Sequence, residues 1–157
     1  NMSVISPEVE WYPRPSGVTN QNSSLKKIAS TSKSLNKMMA EDAERFGTDI
    51  KQTILCGFSA GAVMAFQMWM DGEFETVVSH NGCILDVDSI PPNKGYKECL
   101  MIHNRDDDCF SWEERYMPTK NTLASLGYDI TTIESSHGGH SMTSLDVSMV
   151  ASYLGMD

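Results

Sequence analysis

The chain has 157 residues, 40% of them apolar and 11 of them glycine, a make-up that fits one globular domain with its own core. Twelve basic and 21 acidic residues leave a formal charge of −9, which argues against a nucleic-acid partner because phosphate binding needs a clustered basic excess. No apolar run approaches the ~20 residues that cross a bilayer, and the opening NMSVISPEVEWYPRP lacks the basic, apolar and small-residue zones of a secretory leader. The expectation is a single cytoplasmic domain, residues 1–157, with no membrane partner.

In chain order, residues 4–6 are a short strand candidate ended by Pro7, and the Pro-, Gly- and Asn-rich stretch 11–23 reads as a loop. From Ser24 to Phe46 the positions Leu25, Ile28, Leu35, Met39 and Phe46 keep helical three/four spacing, and Gly47 stops the helix. Residues 53–56 predict an apolar strand, 62–70 a helix, 76–79 a strand turning out through Asn81-Gly82, and 85–97 a surface loop. Another strand is expected at 99–102 and an acidic loop after it. A helix over 113–126 has Pro118 as its weak point, a last strand follows over 128–133, and a helix near 143–154 ends the chain. Short continuous apolar strands separated by helices indicate a parallel sheet covered on both faces. The expected fold is therefore a three-layer α/β/α domain with about five strands.

The four cysteines, Cys56, Cys83, Cys99 and Cys109, form no CxxC pair and no zinc-finger spacing. They read as reduced structural thiols, with Cys56 and Cys99 inside apolar runs that predict buried strands.

Reactive side chains collect at the carboxyl ends of strands in open parallel sheets. Three such ends carry them here, in the order Ser59, Asp106-Asp107-Asp108, His140. Gly57-Phe58-Ser59-Ala60-Gly61 is a G-x-S-x-G between a predicted strand and a predicted helix. Its glycines are expected to relieve clashes around a sharp turn that exposes the serine hydroxyl, and the helix N-terminus beneath adds partial positive charge. All three aspartates are placed to orient a histidine. His140, after Gly138-Gly139, is the expected base, and His137 is its rival. His80 and His103 read as strand-end residues bonded locally. A metal on His137 and His140 would lack a third ligand, so no metal or other cofactor is expected.

These segments resemble the α/β-hydrolase superfamily and, within it, the carboxylesterase/phospholipase group that includes the acyl-protein thioesterases. The likeness is carried by ILCGFSAGAVMAF (54–66), CLMIHNRDDDCFSW (99–112) and SSHGGHSM (135–142). The family's elbow is commonly G-F-S-x-G and matches Gly57–Gly61 position by position. Its acid loop usually reads H-G-x-x-D-x-x-V-P. With its histidine set on His103, the acid falls on Asp107, Asn104 replaces the glycine and Ser111 replaces the proline. Its histidine loop, G-x-G-H-S, matches at His140-Ser141.

The resemblance implies a serine carboxylesterase acting on short, accessible small-molecule esters. Ser59 would be the nucleophile, His140 the base and Asp107 its orienting acid. It implies one oxyanion donor at the Ala60 N–H. The His-Gly motif that often supplies the second does not occur before Ser59, so the expectation is either a piece of a longer chain or a reduced α/β-hydrolase fold, in which that donor would lie near Glu8 or Val9. Phe58, Trp11 and Tyr12 are expected to line the acyl pocket, with simple packing on the helix layer an equal account of Trp11 and Tyr12. A homodimer would cover the sheet flank left bare. Competing readings are a thioesterase or other acyl hydrolase, an inactive binding module, and a flavodoxin-like phosphate binder, though no Walker lysine or GxGxxG is present.

Overall fold

The computed structural model describes residues 11–12 and 18–156. The four strands are β1 (Ile54–Phe58), β2 (Thr76–His80), β3 (Glu98–Asn104) and β4 (Asp129–Ser135). They lie side by side in chain order, and every pairing is parallel. All carboxyl ends therefore point the same way, as the site requires. The fifth strand candidate, residues 4–6, lies outside the described residues.

The helices are α1 (Val18–Phe46), α2 (Ala60–Asp71), α3 (Met117–Ser125) and α4 (Ser144–Tyr153). Alternate residues of β2 and β3 feed the two faces. Val77, Cys99 and Met101 join Phe66, Trp69 and Leu123 in the main core, with Leu35 and Met39 of α1 packed against it. Val78, Leu100 and Ile102 face the other way, toward Val150, Tyr153 and Leu154 at the end of α4. This is the expected three-layer arrangement. Burying each large apolar side chain contributes roughly 1.5–3 kcal/mol.

Several boundaries differ from expectation for physical reasons. α1 begins at Val18, inside the stretch read as a loop, because packing of its apolar stripe, Leu35 and Met39 included, on the main core outweighs weak local propensity. Gly47 does end it, at φ +64°, where a side chain would be strained. Pro118 does not weaken a helix interior. Residues Trp112–Tyr116 form a wide π turn, and Pro118 falls in the first turn of the α-helix that follows, where a missing N–H costs nothing.

Cys56 is exposed and not buried. Among the described residues β1 has a strand on one side only, and an apolar run does not announce which strand of a sheet forms the flank. All four cysteines are free. Burial pushes the Cys83 thiol up to about 12 and raises that of Cys99 as well, so both stay neutral small hydrophobes. No helix among the described residues is long and apolar enough to cross a membrane.

Candidate active site

Ser59 joins β1 to α2 with φ 56° and ψ −125°, a conformation that costs a side-chain-bearing residue of order 1–3 kcal/mol. Backbone bonds hold it there. The Ser59 N–H donates to the His80 carbonyl at 3.0 Å, and the Ser59 carbonyl accepts from the Ala62 and Val63 N–H groups at 2.9 and 3.2 Å. Only one of the two flanking glycines relieves a clash. A Cβ on Gly57 would lie 2.4 Å from the Gly61 carbonyl oxygen, whereas a Cβ on Gly61 would meet nothing within 4 Å. A third glycine, not singled out from the sequence, matters more than Gly61: a Cβ on Gly82 would lie 2.3 Å from the Ala62 methyl. The chain leaving β2 thus presses against the start of α2.

The two other strand ends deliver their groups to this turn. His140 Nε2 lies 2.7 Å from Ser59 Oγ. On the far side of the ring, Nδ1 lies 2.9 and 3.1 Å from the two carboxylate oxygens of Asp107. An ionised carboxylate only accepts, so Nδ1 carries the proton and Nε2 is left to accept the serine hydroxyl hydrogen. The Asp107 side chain is fully buried and the His140 ring is 19% exposed. Oδ1 of Asp107 also accepts the N–H groups of Cys109 and Phe110 at 2.8 and 2.9 Å, which fixes the carboxylate's rotation.

The other acidic candidates go elsewhere. Asp106 accepts the Gly139 N–H at 2.8 Å and the Gly138 N–H at 3.4 Å. The Gly139 bond, foremost, holds its carboxyl below the usual range. Asp108 is exposed, and His137 lies 3.8 Å from Asp106 with its ring in solvent.

His103 behaves as expected, with Nε2 2.8 Å from the Phe110 carbonyl and its ring stacked on Tyr116 at 4.6 Å. His80 does not. Its carboxylate neighbour is the remote Asp146 in the first turn of α4, 3.2 Å from Nε2, and neither ring nitrogen has a well-directed hydrogen bond. Burial lowers the pKa of both histidines, opposed by Asp146 at His80 and by the Phe110 carbonyl at His103.

Phe58 sets its ring 5.1 Å from that of His140 and 5.4 Å from that of His80. Tyr12 is buried with Ile28, Val63, Met64 and Cys83, and Trp11 packs on the same cluster together with Ala60 and Phe110. Ala60 opens α2, so its N–H belongs to the first turn, which has no intrahelical acceptor. Glu8 and Val9 lie outside the described residues.

Among the described residues, Asp107, Cys109 and His140 bring metal-ligand atoms within 4.8 Å of one another. Both nitrogens of His140 are already engaged, by Asp107 and by Ser59. Two buried asparagines, Asn81 and Asn104, also reach the histidine loop; sequence reasoning treated one as a turn residue and the other as a departure from a motif. The arrangement as a whole can move a proton from the serine to the imidazole while a buried carboxylate steadies the charge that forms.

A family model described as Phospholipase/Carboxylesterase matches residues 4–156. The chain belongs to this family. Its solved relatives by shape include esterase PE8, with a TM-score of 0.80 at 21% identity over 93% of this chain and 69% of its own. A carboxylesterase from Mesorhizobium loti gives 0.78 at 18% identity over 98% of this chain and 72% of its own. SOBER1 of Arabidopsis thaliana gives 0.77 at 15% identity over 93% and 72%. No curated protein matches the sequence significantly. The phospholipase/carboxylesterase family comprises acyl hydrolases of the α/β-hydrolase fold, and that fold is the one described above.

Proposed function

We propose that the protein is a serine carboxylesterase that cleaves short, accessible carboxylic esters through an acyl-enzyme. The observation that carries this reading is the unbroken hydrogen-bonded line from Ser59 Oγ through the His140 ring to the buried Asp107 carboxylate. Ser59 Oγ attacks the ester carbonyl carbon as its proton passes to His140 Nε2. Collapse of the tetrahedral intermediate expels the alkoxide, which takes that proton and leaves as the alcohol. Water, deprotonated by His140, then attacks the acyl-serine, and cleavage of the acyl–Oγ bond releases the acid as His140 returns the proton to Ser59 Oγ. Asp107 holds the ring in the tautomer that accepts at Nε2 and stabilises the imidazolium. The Ala60 N–H donates to the oxyanion; such a donor is worth roughly 3–4 kcal/mol of barrier.

The preference for short, accessible esters rests on the stretch 85–97, the longest candidate for a cover. Leu85 at its start packs on the cluster with Ala60 and Phe110, and only its second half is tied down at the opposite end of the sheet: Asn93 bonds the Leu126 and Gly127 carbonyls, and the Tyr128 hydroxyl donates to the Pro91 carbonyl. Those partners precede β4, whereas Ser59 follows β1. Four free thiols suit a reducing cytoplasm. A homodimer over the β1 flank, where Ile54 and Cys56 are exposed, completes the reading; a monomeric mass by light scattering would remove that part of it.

Hydrolysis of p-nitrophenyl acetate, butyrate and decanoate, and of an acetyl thioester, tests the proposal. Turnover of the acetate and butyrate that vanishes in Ser59→Ala supports it. Faster turnover of the thioester would make the protein a thioesterase, and hydrolysis that survives Ser59→Ala would overturn the reading.

A further inference from the structure

The loop that carries His140 is poorly held by packing. None of residues 136–143 is buried. Beside the loop an open groove of about 320 Å³ is bordered by Asn104, Ile133, His137, Thr143, Leu145 and Met149. Yet general-base chemistry fails if the imidazole drifts, and a displacement near 1 Å costs roughly a hundredfold. Something other than apolar contact must fix the loop.

We propose that Asn81 and Asn104 are positioning residues that clamp the two backbone carbonyls flanking His140. The proposal deepens the esterase reading and rests on it for the role given to His140. Both side chains are buried, Asn81 fully and Asn104 at 2% exposure. Each Nδ2 donates to the Gly139 carbonyl at 3.0 Å and reaches the Ser141 carbonyl, at 3.3 Å from Asn81 and 3.4 Å from Asn104. Asn81 Oδ1 accepts the Asn104 backbone N–H at 3.0 Å, which sets the orientation of the Asn81 amide. Asp106 grips the same segment from the other side through the Gly138 and Gly139 N–H groups.

The pair also ties the three catalytic strand ends together. Asn81 follows His80, whose carbonyl accepts the Ser59 N–H, and the Asn104 carbonyl accepts the Asp107 N–H. Asn81 adopts φ +46°, a left-handed conformation that asparagine tolerates better than most side chains. One residue type therefore meets both demands, the backbone and the amide. The loop is shaped to receive Asn104, since a Cβ on Gly138 would lie 2.6 Å from its Nδ2. Asn104 stands where the acid-loop pattern quoted above has a glycine.

A buried amide needs partners in any protein, so loss of stability alone does not test the idea. The tests are Asn81→Asp and Asn104→Asp, which keep shape and remove the donors, and Asn104→Gly, which restores the family residue. The readouts are kcat and KM on p-nitrophenyl acetate, and the low-field proton NMR signal of the His140 Nδ1–H bonded to Asp107. The expected result is a kcat about 10- to 100-fold lower with KM changed by less than about threefold, and a low-field signal broadened or lost. Retention of both kcat and the signal in the folded variants overturns the proposal, even if Tm falls. If the aspartate variants do not fold, Gly138→Ala applies the same test from the exposed loop by pressing a methyl against the Asn104 amide. If the wild-type protein hydrolyses no ester, the esterase reading fails on its own, and the NMR signal still decides whether the two asparagines hold His140.

Discussion

Ser59 and His140 meet at 2.7 Å, but the segments that carry them are held in different ways. After the serine come Ala62, Val63, Met64, Ala65 and Phe66, all buried, and the turn itself is forced by Gly57 against the Gly61 carbonyl. Around the histidine no residue from 136 to 143 is buried, and the loop hangs on hydrogen bonds from Asn81, Asn104 and Asp106. Ser59 is thus set by excluded volume, which tolerates no added atom at Gly57 or Gly82. His140 is set mainly by directional polar bonds, whose loss no packing makes good, with one tight fit where Gly138 meets the Asn104 amide. Substitutions in the two segments should therefore fail differently.

The largest effects are chemical. Ser59→Ala is expected to lower ester hydrolysis by roughly 10⁴-fold or more with little change in thermal stability; steady-state kinetics and a melting curve check both halves. Asp107→Asn should cost roughly 10³- to 10⁴-fold in kcat. The new amide oxygen must face the Cys109 and Phe110 N–H groups. Its NH₂ then points at His140 Nδ1 and forces the tautomer that cannot accept from Ser59. A kcat within tenfold of wild type would show that the carboxylate is not the group that orients the ring.

A steric contrast comes next. Gly57→Ala should destabilise by about 1–3 kcal/mol or more through overpacking against backbone, whereas Gly61→Ala, with open space around its Cβ, should be neutral or stabilising by up to ~1 kcal/mol. Thermal unfolding of both variants checks this. Equal losses would mean that the turn is held by something other than the Gly57 contact.

The smallest effect is a pH dependence shared by both regions. His80 and His103 are held neutral by burial, with pKa values below the ordinary range. The unfolded chain therefore binds more protons than the native one as pH falls below about 6.5, and stability drops in that direction. Tm should be flat from pH 8 to about 7 and then decline toward pH 5, before most carboxylates titrate. A Tm constant to pH 5 would contradict the neutral state of these rings.

The same contrast explains what the sequence made legible. The parallel sheet was readable because β1 and β3 carry short continuous apolar runs separated by helical stretches, and the serine turn was readable because its constraint is local and needs a glycine at position 57. Asp107 was not separable from Asp106 and Asp108 by residue type; the resemblance to a family pattern selected it. The exposed face of Cys56 and the remote partner of His80 depend on which elements end up adjacent, which no local window contains. Asn81 and Asn104 were invisible for the same reason. Their acceptors lie 58 and 35 residues away in the chain; Asn81, beside Gly82, reads first as a turn, and Asn104 as a departure from a motif.

The central claim is that Ser59 is a nucleophile activated by His140, and covalent labelling by a fluorophosphonate probe tests it most directly. The account predicts a single adduct, mapped by mass spectrometry to Ser59, formed rapidly by the wild-type protein, absent in Ser59→Ala and greatly slowed in His140→Ala. A well-folded protein that takes up no probe, or one labelled equally fast without His140, would contradict it.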